Sequence, residues 1–141
     1  MAEAIAAARM RERALGGLAV SSAGMAALDG MRAAPNAVKV LAENGIDLSG
    51  HRSRMLTKEM VDAADLVVAM TEEHRSEILE LAPGSAGKVV VLGELDHSRG
   101  CVDIPDPIGG DMGVYRETRD EISSLITRLI DYVIEIFGLK Q

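Results

Sequence analysis

Asp65-Leu66-Val67-Val68-Ala69-Met70, then Thr71-Glu72-Glu73-His74, then, past Pro83-Gly84, Lys88-Val89-Val90-Val91-Leu92: this succession decides the fold class. Both apolar runs are strand-length and continuous, the pattern of strands buried on two faces of a parallel sheet. Thr71 with Glu72, Glu73 and His74 opens a helix, and Pro83-Gly84 ends it. A helix between two such strands implies an α/β domain of three layers, a parallel sheet flanked by helices.

The flanking sequence extends the alternation. Residues 1–14 are rich in Ala and Arg and predict a helix with Met1, Ile5, Ala8 and Leu15 on one face. Gly16-Gly17 breaks it, and Leu18 to Ser22 reads as a short strand ending at Ala23-Gly24. Pro35 suits the first turn of a helix running to Asn44, with Gly45 as its stop and Val38, Leu41 and Ala42 facing a core. Thr57 is an N-cap for a short helix through about Asp62. Asp62 and Asp65 punctuate the approach to the strand. After a loop from Gly93 to Gly110, the last helix starts near Asp111 and runs to about Phe137. Its stripe Ile122, Leu125, Ile126, Leu129, Ile130, Val133 and Phe137 is core. Three strands are few, since sheets usually have about 4–6, and a sheet of this kind is normally entered through a strand. Both points suggest that an upstream strand is missing.

The totals bound the function classes. A chain of 141 residues suits one domain, residues 1–141. Apolar residues at 48% with 26% charged ones favour a packed core over disorder. No apolar run approaches the roughly 20 residues that a membrane span needs, and the first 13 residues lack the apolar stretch of a secretion signal. A single cysteine, Cys101, makes no internal disulfide, so a reducing cytoplasm is expected. The formal charge of −7, with only Tyr115, Tyr132 and Phe137 as aromatics, argues against nucleic acid, which attracts basic surfaces and stacking rings. Nothing in the composition fixes an oligomeric state.

Chemistry concentrates in Val102-Asp103-Ile104-Pro105-Asp106-Pro107-Ile108-Gly109-Gly110. Two prolines and two glycines restrict this loop, and a carboxylate held between the prolines can protonate a leaving group during phosphoryl transfer. The competing reading is purely structural: Asp-Pro starts a turn and Asp111 caps the next helix. His51, Arg52 and Arg54 form a basic cluster that either neighbours a phosphate or is a solvated loop with a structural His. His74 and His97 lack ligand spacing with carboxylates or Cys101, so no metal and no cofactor is expected.

An ordered set of motifs gives these residues a context. Met1-Ala2-Glu3-Ala4 resembles the start of the helix that follows the phosphate loop in low-molecular-weight protein tyrosine phosphatases and their bacterial relatives. Ser22-Ala23-Gly24, His51-Arg52-Ser53-Arg54 with Leu56-Thr57, Asp65 to Met70 with Thr71, and Asp106-Pro107 resemble further family segments, in order and with the family spacing. The resemblance implies a phosphatase acting on phosphorylated protein substrates through a phosphocysteine, with Asp106 as the general acid. It also implies a Cys-x5-Arg loop whose N–H groups and Arg hold the phosphate at a helix N-terminus.

That loop does not occur in these residues. Six positions after Cys101 stands Pro107, not Arg, and Cys101 reads as an incidental loop cysteine. The expectation is therefore a domain truncated at its N-terminus, without its first, central strand, with Met1 an internal methionine of a longer product. As written, such a chain would be inactive, poorly stable or prone to associate through exposed strand edges. The alternative is a non-catalytic remnant or binding module of the same fold. Ile108-Gly109-Gly110 after Asp106-Pro107 places no aromatic wall and looks more like bacterial members, protein arginine phosphatases among them. Arsenate reductases on this fold need resolving cysteines, and Met70 to Glu94 contains none.

Overall fold

Parallel pairing of two short strands organises the chain. In a computed structural model describing residues 1–141, β1 (Val67–Ala69) pairs with β2 (Val89–Val91) in the register Val67 to Val89, Val68 to Val90 and Ala69 to Val91. Five α-helices surround them: α1 (Ala2–Glu12), α2 (Pro35–Ala42), α3 (Lys58–Ala63), α4 (Glu72–Leu81) and α5 (Met112–Phe137). The connection between the strands is α4 followed by a 3-10 turn at Pro83–Lys88, the crossover that parallel strands require.

Local chemistry sets the helix ends. Thr57 and Thr71 accept N–H hydrogen bonds from Met60 and His74, and Asp111 accepts one from Val114, so α3, α4 and α5 each start on a side-chain cap. Pro35 begins α2, and Gly138, left-handed at φ 60°, ends α5.

The sheet separates two apolar clusters, which is the expected three-layer arrangement. Alternate side chains of one extended segment reach each cluster, as the two-residue period of a strand demands. Leu66, Val68 and Met70 pack toward the larger cluster, built on Ile5, Val40, Leu41, Leu92, Ile104 and the α5 stripe. Val67 and Ala69 pack toward the smaller one, with Val61, Ile78, Ala82, Val89 and Val91. Helices α1, α2 and α5 therefore lie on one side, and α3 and α4 on the other.

Three expectations are corrected. The segment Leu18–Ser22 does not form a strand: from Ala19 to Ala23 no backbone N–H meets a backbone carbonyl, and Ala19, Val20 and Ser21 are exposed. Strand propensity is realised only against a neighbour, and pairing begins at Gly24, which bridges Met55 in parallel. The core face of α2 is Ala37, Val40 and Leu41, with Ala42 exposed and Val38 half-buried, because α5 packs along that stripe. Phe137, assigned to the α5 stripe, is 44% exposed, since the helix there has run past its neighbours.

The same face of α5 buries a cation. Arg119 is 9% exposed; its Nη1 donates to the Val40 carbonyl at 2.9 Å and its Nε to Asp120 at 2.9 Å, while Glu43 lies 3.4 Å away. Val40 is in the last turn of α2, where carbonyls lack helical partners, so the guanidinium ties that helix end to α5.

Candidate active site

The Asp106 loop begins where the chain leaves β2. A 3-10 turn at Leu92–Leu95 brings Gly93 so close to Val102 that a Cβ there would lie 2.0 Å from the Val102 carbonyl oxygen. Only glycine admits that approach. Ile104 is buried, and its N–H donates to the Met70 carbonyl at 3.0 Å, just past the C-terminal end of β1. Asp103 accepts from the Glu72 N–H at 2.9 Å, at the start of α4. Arg99 spans the loop's base, donating to the carbonyls of Cys101 (3.0 Å) and Asp103 (3.4 Å) and pairing with Glu121 on α5 at 2.6 Å. Ligands of open α/β sheets bind at the carboxyl ends of the strands, and the loop is fastened there.

Beyond this anchor the Asp106 carboxylate is exposed, and its Oδ1 accepts the Ile108 N–H at 3.0 Å. The Gly110 N–H donates to the Pro107 carbonyl at 2.8 Å, and Gly109 takes a φ of 80°, which makes glycine the favoured residue there. Asn36 on α2 donates to the Gly110 carbonyl at 3.3 Å. The structural reading of this loop is thus correct as far as it goes, since Asp106-Pro107 forms a turn and Asp111 caps α5. It leaves one oxygen of Asp106 without a protein partner.

Within electrostatic reach of this carboxylate is the first turn of α1, which has no side-chain cap. Burial pushes the Met1 α-ammonium below its usual pKa, against the opposing pull of the Glu3 and Asp106 charges. Asp106 is therefore close enough to the α1 N-terminus to be felt electrostatically. Glu3, in the same turn, accepts a hydrogen bond from the Ser22 hydroxyl, and its Oε2 lies 3.9 Å from His51 Nδ1. Arg54 Nε donates to the Ser22 carbonyl at 2.9 Å, and Arg52 Nη1 to the carbonyls of Ser49 and His51.

The fold thus gathers Asp106, Ser22, His51 and Arg54 around one helix N-terminus, where backbone N–H groups and the helix dipole favour an anion. It leaves out Cys101, exposed at the loop's base, His97, exposed on the preceding turn, and His74, half-buried in the first turn of α4. Sequence reasoning missed Glu3 as a partner of His51 and Ser22, because an acidic residue in a first turn is unremarkable on its own. It also missed Gly93, whose necessity depends on a residue nine positions away.

The model of the family described as low molecular weight phosphotyrosine protein phosphatase matches residues 1–136. A protein-arginine-phosphatase of Geobacillus stearothermophilus is 41% identical over 127 residues, covering 90% of this chain and 84% of the relative. The Wzb low molecular weight protein-tyrosine-phosphatase of Escherichia coli is 36% identical over 112 residues, covering 79% and 69%. Among solved structures, the YwlE arginine phosphatase from Geobacillus stearothermophilus superposes with a TM-score of 0.84 at 38% identity, over 99% of this chain and 90% of that one. A low molecular weight protein tyrosine phosphatase from T. tengcongensis gives 0.83 at 38%, over 93% and 88%. The ordered motifs, the loop at the strand ends and these matches agree: the chain belongs to the low molecular weight phosphotyrosine protein phosphatase family.

Proposed function

We propose that this domain is the acid half of a cytoplasmic protein phosphatase that favours phosphoarginine over phosphotyrosine, with Asp106 as its proton donor. The observation that carries this reading is the Asp106 carboxylate, held by the Ile108 N–H and within electrostatic reach of the uncapped N-terminus of α1. Exposed Ile108 followed by Gly109-Gly110 offers no aromatic wall for a phenyl ring, which supports the arginine branch. The lone, unpaired cysteine supports a reducing compartment.

In the reaction a thiolate attacks phosphorus, the bond from phosphorus to the leaving nitrogen or oxygen breaks, and the leaving atom takes its proton from Asp106. Water then attacks the phosphocysteine, giving its proton to the Asp106 carboxylate and releasing phosphate and thiolate. Neither the thiolate nor the arginine clamp of a Cys-x5-Arg loop is among the 141 residues. On this reading these residues supply the proton donor, and the test supplies the nucleophile.

The test is a graft. Fusing a strand and a Cys-x5-Arg loop ahead of Met1 should create hydrolysis of a phosphoarginine peptide, and Asp106→Asn in that fusion should lower kcat by about 10²–10⁴-fold. Turnover by the 141-residue chain that survives Cys101→Ser would overturn the proposal. The same missing residues favour a second reading, a non-catalytic binding module of this fold, which holds if a well-folded graft stays inert.

A further inference from the structure

Most arginines of this acidic chain are neutralised by a carboxylate. Of eleven, Arg9, Arg13, Arg75, Arg99, Arg116, Arg119 and Arg128 each have an Asp or Glu oxygen within 4.0 Å. Four do not: Arg11, Arg32, Arg52 and Arg54. Three of these four meet at one place. Arg32 and Arg52 are directly opposite in an antiparallel bridge, and Arg54 follows Arg52 by two residues. All three are exposed. Side chains directly opposite in such a pair share a face with Cβ atoms about 4.5–5.5 Å apart, and like charges there repel.

Backbone contacts hold this arrangement in spite of the repulsion. Arg54 Nε is used on the Ser22 carbonyl and Arg52 Nη1 on those of Ser49 and His51, which fixes the guanidinium stems and leaves other N–H groups free. The nearby carboxylates are engaged elsewhere: Glu3 with Ser22 and His51, Asp29 with the Met55 N–H, and Asp47 with the Ser49 N–H. Arg52, Arg54 and His51 line a cleft of about 300 Å³ that contains no apolar side chain and reaches Glu3 in the first turn of α1. The cleft thus borders the start of α1, around which the candidate site is gathered.

We propose that the Arg32–Arg52–Arg54 cluster is a docking site for acidic side chains of the protein substrate, flanking the phosphorylated residue. This rests on the reading of the domain as a protein phosphatase, but the docking itself needs no catalysis. Planar guanidinium forks suit carboxylates by bidentate hydrogen bonding. In a chain with a net charge of −7, a local cationic face selects the acidic stretch of a partner and orients it, while the rest of the surface repels it.

The test measures binding, not turnover. A fluorescein-labelled ten-residue peptide rich in Glu, its Gln-substituted counterpart and a single-stranded RNA of equal length are titrated with the 141-residue protein, following anisotropy. The acidic peptide should bind more tightly than the Gln peptide and the RNA, and weaken as salt screens exposed charges. Arg32→Ala and Arg52→Ala should each weaken it about three- to fivefold, the worth of an exposed ion pair. Arg11→Ala, the same charge change at the one other unpaired arginine, should leave it unaltered; circular dichroism checks that each variant is folded. Equal binding of the Gln peptide, equal weakening by Arg11→Ala, or tighter binding of the RNA would each overturn the docking site. Failure of the graft to hydrolyse phosphopeptide would instead remove the catalytic reading, leaving the binding result as measured.

Discussion

Replacing Gly93 by alanine tests whether the loop bearing Asp106 is fixed by a backbone crossing. The new Cβ would lie 2.0 Å from the Val102 carbonyl oxygen, 2.7 Å from its carbonyl carbon and 2.8 Å from its Cα. Ordinary contacts between such atoms are about 3.5 Å, and each neighbour is backbone, so no rotamer change relieves the clash. The chain at Val102 has to retreat by about 1.5 Å. Two residues later the Ile104 N–H is bonded to the Met70 carbonyl at 3.0 Å, and a shift of that size breaks it. Overpacking costs about 1–3 kcal/mol and the lost backbone bond about 1 kcal/mol, so a loss of about 2–4 kcal/mol is expected. For a domain of this size each kcal/mol lowers Tm by about 4 °C, giving a drop of roughly 8–16 °C. The control is Gly100→Ala, where a Cβ meets nothing within 4 Å and the change should be small. Urea unfolding followed by circular dichroism measures both. A Gly93→Ala protein within 0.5 kcal/mol of the parent, on the order of a surface substitution, would refute the crossing.

Three further outcomes follow from the same geometry. Arg119→Leu should cost about 1.5–3 kcal/mol by urea titration, because a charge-assisted bond to the Val40 carbonyl is lost, whereas Arg116→Ala, an exposed pair with Glu43, should cost under about 1 kcal/mol. Asp103→Ala removes the acceptor for the Glu72 N–H and should destabilise by about 1 kcal/mol, with faster hydrogen exchange in the first turn of α4. Hydrogen bonds from the Ser98 hydroxyl and N–H hold Asp96 below its ordinary pKa. Its stabilisation is present above the unfolded value of 3.8 and is lost as pH falls through the folded one. Ser98→Ala should raise the Asp96 pKa in a carboxyl NMR titration and cost stability at pH 7 but not in acid; an unmoved titration would contradict the assignment.

Signals confined to a few neighbouring residues were legible in the sequence. The caps Thr57, Thr71 and Asp111, the proline opening α2 and the two valine-rich runs each act within a turn or a strand, and each element stands where its signal lies. Leu18–Ser22 failed because its apolar residues describe a strand only when a neighbour pairs with it. Arg119 was invisible because a cation in a long helix normally faces water, and only the end of α2 makes its burial favourable. The candidate site divides in the same way. Asp106 announced itself through two prolines, whereas the Glu3–Ser22–His51 contact and the unneutralised pairing of Arg32 with Arg52 join residues 19 or more apart.

The division of the core into two clusters bears on the order in which the chain is assembled during synthesis. All six buried residues of the smaller cluster lie between Val61 and Val91, so β1, α4 and β2 can close on one another soon after that stretch leaves the ribosome. The larger cluster joins Ile5 to Ile130 and must wait until α5 has been translated. Early domains form from local contacts, and distant ones follow at a cost in loop closure. Ile5 of α1 and Ile104 at the base of the Asp106 loop both belong to that larger cluster, so the proposed site is assembled after the smaller one.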